Sequence, residues 1–187
     1  MVNTSDRIEY VRFEKSYEDE VLNVFVDSFV KYPLFWGVFE DRFNSEIKLR
    51  SFYEHLMKGI FRATIRKDDC YIGIIDGKVT SIVIVEKPSD KPVGFWDYAV
   101  SGMAGIIARI GIKDTLEFME TSDKTEIVVK SIPEPRWHLY FLAVDPNNQK
   151  QGIGSGAIQD FLIPLVKEET LECNAKSIGN WTFRMDL

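Results

Sequence analysis

The chain contains the segment HLYFLAVDPNNQKQGIGSG at residues 138–156. Its first seven residues form an apolar run typical of a strand, DPNN is a turn signal, and the glycines that follow predict a tight loop opening a helix. Glycine lets a backbone approach a ligand closely, and the first amides of a helix lack intrahelical partners, so they face an anion placed there. The segment therefore predicts a strand, a loop and a helix start that bind a phosphate or pyrophosphate.

The residues around the loop narrow the class of phosphate ligand. A P-loop needs a lysine and then a serine or threonine after its last glycine, whereas Gly154 is followed by Ser155 and Gly156. A dinucleotide fingerprint has two residues between its last two glycines and lies near the start of a βαβ unit, whereas this segment has one residue there and lies late in the chain. The sequence therefore disfavours both a P-loop and a dinucleotide-binding loop.

The pattern Gln/Arg-x-x-Gly-x-Gly/Ala behind a strand ending in Val-Asp-Pro resembles the GCN5-related N-acetyltransferase family, most specifically over residues 136–183. The resemblance implies that the loop wraps the pyrophosphate of acetyl-coenzyme A and that the strand pairs with its pantetheine arm. The residues implied to hold the arm are Leu142, Ala143 and Val144. Those implied to hold the pyrophosphate are Gln149, Lys150, Gln151, Gly152, Ile153, Gly154 and Ser155, and Asn180 is also assigned to the cofactor. The alternative is an ordinary strand-turn-helix with glycines for packing.

Length and composition suit one domain spanning residues 1–187. The chain has 187 residues, 45% of them hydrophobic, which is enough for one packed core. Lys and Arg number 23 against 29 Asp and Glu, a net charge of −6, so the basic footprint of a nucleic-acid binder is absent. The first residues show no secretory signal, which predicts a cytoplasmic protein.

Membrane and metal functions are not indicated. Residues 93–112 are mostly apolar, but Asp97 and Arg109 would each be costly at membrane depth, so a buried or lid-forming helix is preferred. Cys70 and Cys173 have no companion ligands at metal spacing, and we predict no metal site.

The secondary structure expected from the sequence is that of an α/β fold with a mixed, mostly antiparallel sheet and helices on both faces. Asp76-Gly77 between two β-rich runs predicts a hairpin whose second strand is long and central. Residues 94–122 are expected to be helical in two pieces that break near Gly111. Residues 170–173 are expected to form a short strand.

Acetyl transfer needs a polarised thioester carbonyl, a neutral amine and a proton for the leaving thiolate. A backbone amide near Leu142 to Val144 can stabilise the oxyanion without any special side chain. Glu86, at the end of the long strand, is the candidate general base, with a solvated strand end as the alternative, and His138 is a weaker candidate. The resemblance implies a tyrosine as the acid, but Arg184 occupies its position, and the family's final turn and last two strands are missing from the sequence.

The sequence therefore predicts an N-acetyltransferase that moves an acetyl group from acetyl-coenzyme A, its cosubstrate, to an amine of a small-molecule acceptor. The alternatives are a non-catalytic acyl-coenzyme A binder and a truncated acetyltransferase. An open sheet edge invites pairing with another chain, so a homodimer or a subunit completed by a partner are further alternatives.

Overall fold

The computed structural model describes residues 8–30, 39, 42–88, 91, 93–125, 127, 131–133 and 136–176. Its strands form a four-stranded sheet in the order β1-β2-β3-β4. Their bounds are Glu9–Arg12 for β1, Asp69–Ile75 for β2, Lys78–Glu86 for β3 and His138–Val144 for β4. All three pairings are antiparallel. The predicted α/β class is confirmed, and the strands of the described part are antiparallel throughout.

Helices precede, connect and follow these strands. Their bounds are Glu18–Phe29 for α1, Glu46–Thr64 for α2, Phe95–Tyr98 for α3, Ala104–Thr125 for α4, Ile153–Gly156 for α5 and Ile163–Lys176 for α6. A π-helical segment, Ala99–Met103, joins α3 to α4, and another, Ala157–Leu162, joins α5 to α6. None of the helices in the described part combines the length and the apolar run that a bilayer crossing needs.

The two faces of β3 contact different hydrophobic clusters, as the side-chain period of a strand requires. Ile82 and Ile84 belong to the larger core, which includes residues of α1, α2 and α4. Val83 and Val85 belong to a smaller cluster that contains Leu162 of the π-helical segment. The prediction of helices on both faces is confirmed.

The predicted hairpin is present, and β3 is central as expected. Asp76 and Gly77 connect β2 to β3 with φ angles of 49° and 75°. Positive φ at both central residues is the geometry of a two-residue turn whose twist matches that of the flanking strands. β3 pairs with β2 on one side and with β4 on the other.

Residues 95–125 of the long connection between β3 and β4 are helical and break at Gly111, where φ is 81° and ψ is 165°, as predicted. They also break at Gly102, where φ is 96° and ψ is 2°, so this part has three pieces rather than the predicted two. The strand predicted at residues 170–173 is wrong, because these residues lie in α6. Pro164 removes one backbone donor and crowds the preceding turn, and the π-helical segment before it accommodates that change. The helix then continues through Lys167, Glu168 and Glu169, which favour helix formation.

A network of charged side chains attaches α6 to the sheet. Lys87 Nζ lies 2.7 Å from Asp69 Oδ2 at the start of β2 and 2.7 Å from Glu169 Oε2 of α6. Arg12 also pairs with Asp69. Burial alone would lower the pKa of Lys87, but the hydrogen bonds to Asp69 and Glu169 outweigh it and raise the pKa above its ordinary value.

We expect Lys87→Ala to lower the free energy of unfolding by about 1–3 kcal/mol, because it leaves two half-buried carboxylates without their shared cation. Lys124→Ala is the matched control, since Lys124 pairs with Glu120 on an exposed helix surface, where such pairs contribute little. Urea unfolding of both variants is the measurement. Equal losses of stability would show that the network does not hold α6 in place.

Candidate functional site

A cavity of about 360 Å³ opens between the end of β4, the loop after it and the end of α1. Most of the cofactor residues implied by the sequence line it. They are Leu142, Ala143, Val144, Gln149, Lys150, Gly152, Ile153, Gly154 and Ser155. Lys150 is the one cation among the described lining residues, and none of those residues is acidic.

The backbone of β4 has an edge that no described strand covers, because β4 is the last strand of the sheet. The Asp145 N–H donates to the Thr80 carbonyl at 2.9 Å, one position beyond the pair of Val144 with Ser81. Hydrogen-bonded and non-bonded pairs alternate in antiparallel sheets. The N–H and C=O groups of Leu142 and Val144 therefore point away from β3, toward the uncovered edge.

Two side chains confirm this direction for the Val144 carbonyl. Gln149 Nε2 donates to it at 3.0 Å, and Ser28 Oγ lies 3.0 Å from it, with the Val24 carbonyl at 2.7 Å as the other acceptor for the single Ser28 hydroxyl proton. The first contact ties the loop to β4, and the second ties the end of α1 to β4. The end of α1, the end of β4 and the loop therefore meet at the Val144 carbonyl, beside the cavity.

The backbone of the loop changes from a left-handed to a right-handed conformation where α5 begins. Gly152 has a φ of 82° and precedes α5 without a side-chain cap. The first helical bond runs from the Gly156 N–H to the Gly152 carbonyl at 2.8 Å, so the amides before Gly156 have no acceptor within the helix. A left-handed residue followed by a right-handed one makes neighbouring amides converge. Lys150 also has a positive φ, 63°, which is uncommon for a residue with a side chain.

Glu86 lies at the opposite end of the sheet from this loop. It pairs with His138 at the start of β4, six residues or roughly 20 Å along the strand from Val144. His138 Nδ1 is 3.3 Å from Glu86 Oε2, and both side chains are about one-fifth exposed. The two base candidates of the sequence are thus partners of one another.

A β-bulge lies between this pair and the cavity. Ile84 and Val85 are adjacent in β3 but pair with Phe141 and Leu139, so Tyr140 has no residue opposite it. The extra residue shifts the alternation of β4 side chains between the two faces of the sheet. Tyr140 and Phe141 consequently both pack against the larger core.

The structure brings together the predicted arm and pyrophosphate residues, apart from Gln151. Gln151 Nε2 donates to the Asn147 carbonyl at 3.4 Å and is not among the cavity's lining residues. Asn180 lies outside the described residues, as do residues 181–187, on which the prediction about the final strands depends. Ser28, Phe29 and Asn148 also line the cavity. Asn148 belongs to the DPNN turn signal before the loop, whereas nothing in the sequence of α1 marks Ser28 or Phe29.

Within the described part of the chain, no cluster of His, Cys, Asp and Glu could hold a metal ion. Cys70 is buried in β2, and burial, with a smaller effect of neighbouring Asp69, raises the pKa of its thiol to about 12. This thiol is therefore protonated at neutral pH and has the character of a core residue.

Comparison with known proteins identifies the fold. No protein-family model matches the sequence, and no curated protein matches it. A crystal structure described as histone acetyltransferase HPA2 and related acetyltransferase from Corynebacterium glutamicum is similar, with a TM-score of 0.54 at 12% sequence identity. The match covers 84% of this chain and 71% of that one. At this level of identity, the likeness shows that the two chains share a fold.

Proposed function

We propose that this chain is an N-acetyltransferase that takes an acetyl group from acetyl-coenzyme A and passes it to an amine of a small-molecule acceptor. The observation that carries the proposal is the cavity in which the uncovered edge of β4 meets the loop at Gly152. That edge offers amide and carbonyl groups for the pantetheine arm, whose own amides pair like an added strand. The loop offers convergent amides and Lys150 for the pyrophosphate.

The same geometry supports a route for the chemistry. The Leu142 amide points to the uncovered edge, where it can donate to the oxyanion that forms at the thioester carbon. With Nδ1–H donating to Glu86, the Nε2 lone pair of His138 is left to accept the proton of an attacking amine. Glu86 would then stabilise the imidazolium rather than take the proton itself, as the carboxylate of a triad does.

Coenzyme A should raise the melting temperature of the wild-type protein. A ligand present at a hundredfold excess over its dissociation constant stabilises the folded state by about 2.7 kcal/mol, or roughly 5–10 °C for a protein of this size. Pantetheine, which lacks the pyrophosphate, should give a much smaller shift. No shift with millimolar coenzyme A would refute the cofactor assignment.

Gly154→Val should abolish the shift with coenzyme A while the protein stays folded. A Cβ atom at Gly154 would lie 3.6 Å from Val144 Cγ2, an ordinary contact, so the remaining methyl groups would occupy the cavity rather than break the core. Gly94→Val, outside the cavity, is the control and should keep the full shift. Tight binding by Gly154→Val would make the loop a structural feature only.

Glu86→Gln and His138→Gln should each lower turnover of acetyl-coenzyme A with a panel of amines, by about 10²- to 10⁴-fold for His138→Gln if it acts as general base. Glu168→Gln is the control, because Glu168 is an exposed residue of α6. Turnover is followed by release of the free thiol. Binding of coenzyme A without turnover of any amine by the wild-type protein would favour the non-catalytic acyl-coenzyme A binder.

A further inference from the structure

Two phenol groups meet beside the bulge of β4. Tyr140 Oη is 3.3 Å from Tyr98 Oη, and both tyrosines are half-buried against the larger core. Tyr98 ends α3, so it comes from the helical connection between β3 and β4. The His138 ring stands edge-on to the Tyr140 ring, with 5.4 Å between their centroids. The phenol pair therefore adjoins the candidate base.

A row of aromatic rings connects this pair with the cavity. Phe29, which lines the cavity, has its ring centroid 5.4 Å from that of Phe141. The Phe141 ring is 4.9 Å from the Tyr140 ring. Tyr140 lies four residues before Val144, or roughly 13 Å along the strand. An arm that starts at the loop and follows the edge of β4 toward His138 therefore reaches Tyr140 before it reaches the base.

Transfer of the acetyl group leaves a thiolate that needs a proton. The sequence has Arg184 where the resemblance implies a tyrosine, and an arginine stays charged and does not supply a proton at neutral pH. A phenol and an alkyl thiol have ordinary pKa values of about 10 and 8.5, so transfer of a proton between them is close to balanced. The bulge puts a phenol on the side of β4 that faces α1.

We propose that Tyr140, hydrogen-bonded to Tyr98, is the proton donor to the leaving thiolate, an inference that rests on the proposed function. The amine nitrogen forms a bond with the thioester carbon and gives its proton to His138. The carbon–sulfur bond breaks with its electron pair on sulfur, and Tyr140 Oη transfers its proton to that sulfur. Tyr98 stabilises the resulting phenolate, which solvent reprotonates when His138 releases its proton. No oxidant, reductant or metal enters the balance.

The test is a thermodynamic cycle of two ligands and two proteins. The affinities for coenzyme A and for desulfo-coenzyme A, which lacks the sulfur, are measured with the wild-type protein and with Tyr140→Phe. If Tyr140 donates to the sulfur, the variant should bind coenzyme A about 2- to 10-fold more weakly and desulfo-coenzyme A as tightly as the wild type. Isothermal titration calorimetry measures all four affinities. Tyr17→Phe makes the same chemical change in the turn before α1 and should alter neither affinity.

A second measurement tests the role in turnover. Tyr140→Phe should lower kcat for acetyl-coenzyme A by about 10²- to 10⁴-fold with little change in KM, as loss of a general acid does. Tyr98→Phe should lower kcat less. An unchanged melting temperature of Tyr140→Phe without ligand would exclude a loss of folding.

The outcomes separate this proposal from the proposed function. In one outcome, the wild-type protein binds coenzyme A while Tyr140→Phe loses affinity equally for coenzyme A and desulfo-coenzyme A, or for neither. That result would overturn the role of Tyr140 and leave the cofactor assignment intact. Failure of the wild-type protein to bind coenzyme A would overturn both. Selective weakening of coenzyme A alone, with the fall in kcat, would support both.

Discussion

The edge of β4 that no strand of the described residues covers is the constraint on which the proposed site depends. A strand must pair its backbone groups with something, and the alternation of antiparallel hydrogen bonds turns those of Leu142 and Val144 away from β3. Gln149 Nε2 donates to the Val144 carbonyl, and Ser28 Oγ lies within 3.0 Å of it. The cavity forms where these two contacts hold α1 and the loop against the strand. An extended ligand with amide groups fits such an edge better than a compact one does.

The bulge at Tyr140 places two consecutive aromatic side chains of β4 on the same face of the sheet. Without it, Tyr140 and Phe141 would point to opposite faces, and only one of them would meet α1. With it, both rings pack against the larger core. The two ends of β4 thus differ in chemistry. The loop end offers backbone amides and a lysine, and the other end offers a carboxylate, an imidazole and two phenols.

The loop is held in place from both directions along the chain. Before it, β4 is paired with the central strand. After it, the helical run from Ile153 to Lys176 packs Leu162 and Val166 against Val83 and Val85. The ion pairs of Lys87 with Asp69 and Glu169 fix the far part of that run. A loop whose amides have no acceptor within the following helix needs such support, because preorganised donors bind an anion without a further ordering cost.

The sequence by itself determined the hairpin at Asp76-Gly77, the strand of residues 138–144, the loop and the break at Gly111, because each depends on the φ preferences and side-chain period of consecutive residues. It also predicted most of the residues that line the cavity, since these lie close together along the chain. It failed at residues 170–173, where the sequence reading predicted a short strand and the helix instead continued past Pro164. Only the tertiary structure decided that Ser28 and Phe29 close the cavity, that Glu86 faces His138 and that Tyr98 meets Tyr140. These contacts join residues 42 to 116 positions apart, and the packing of elements that sets them has no signature in any short stretch of sequence.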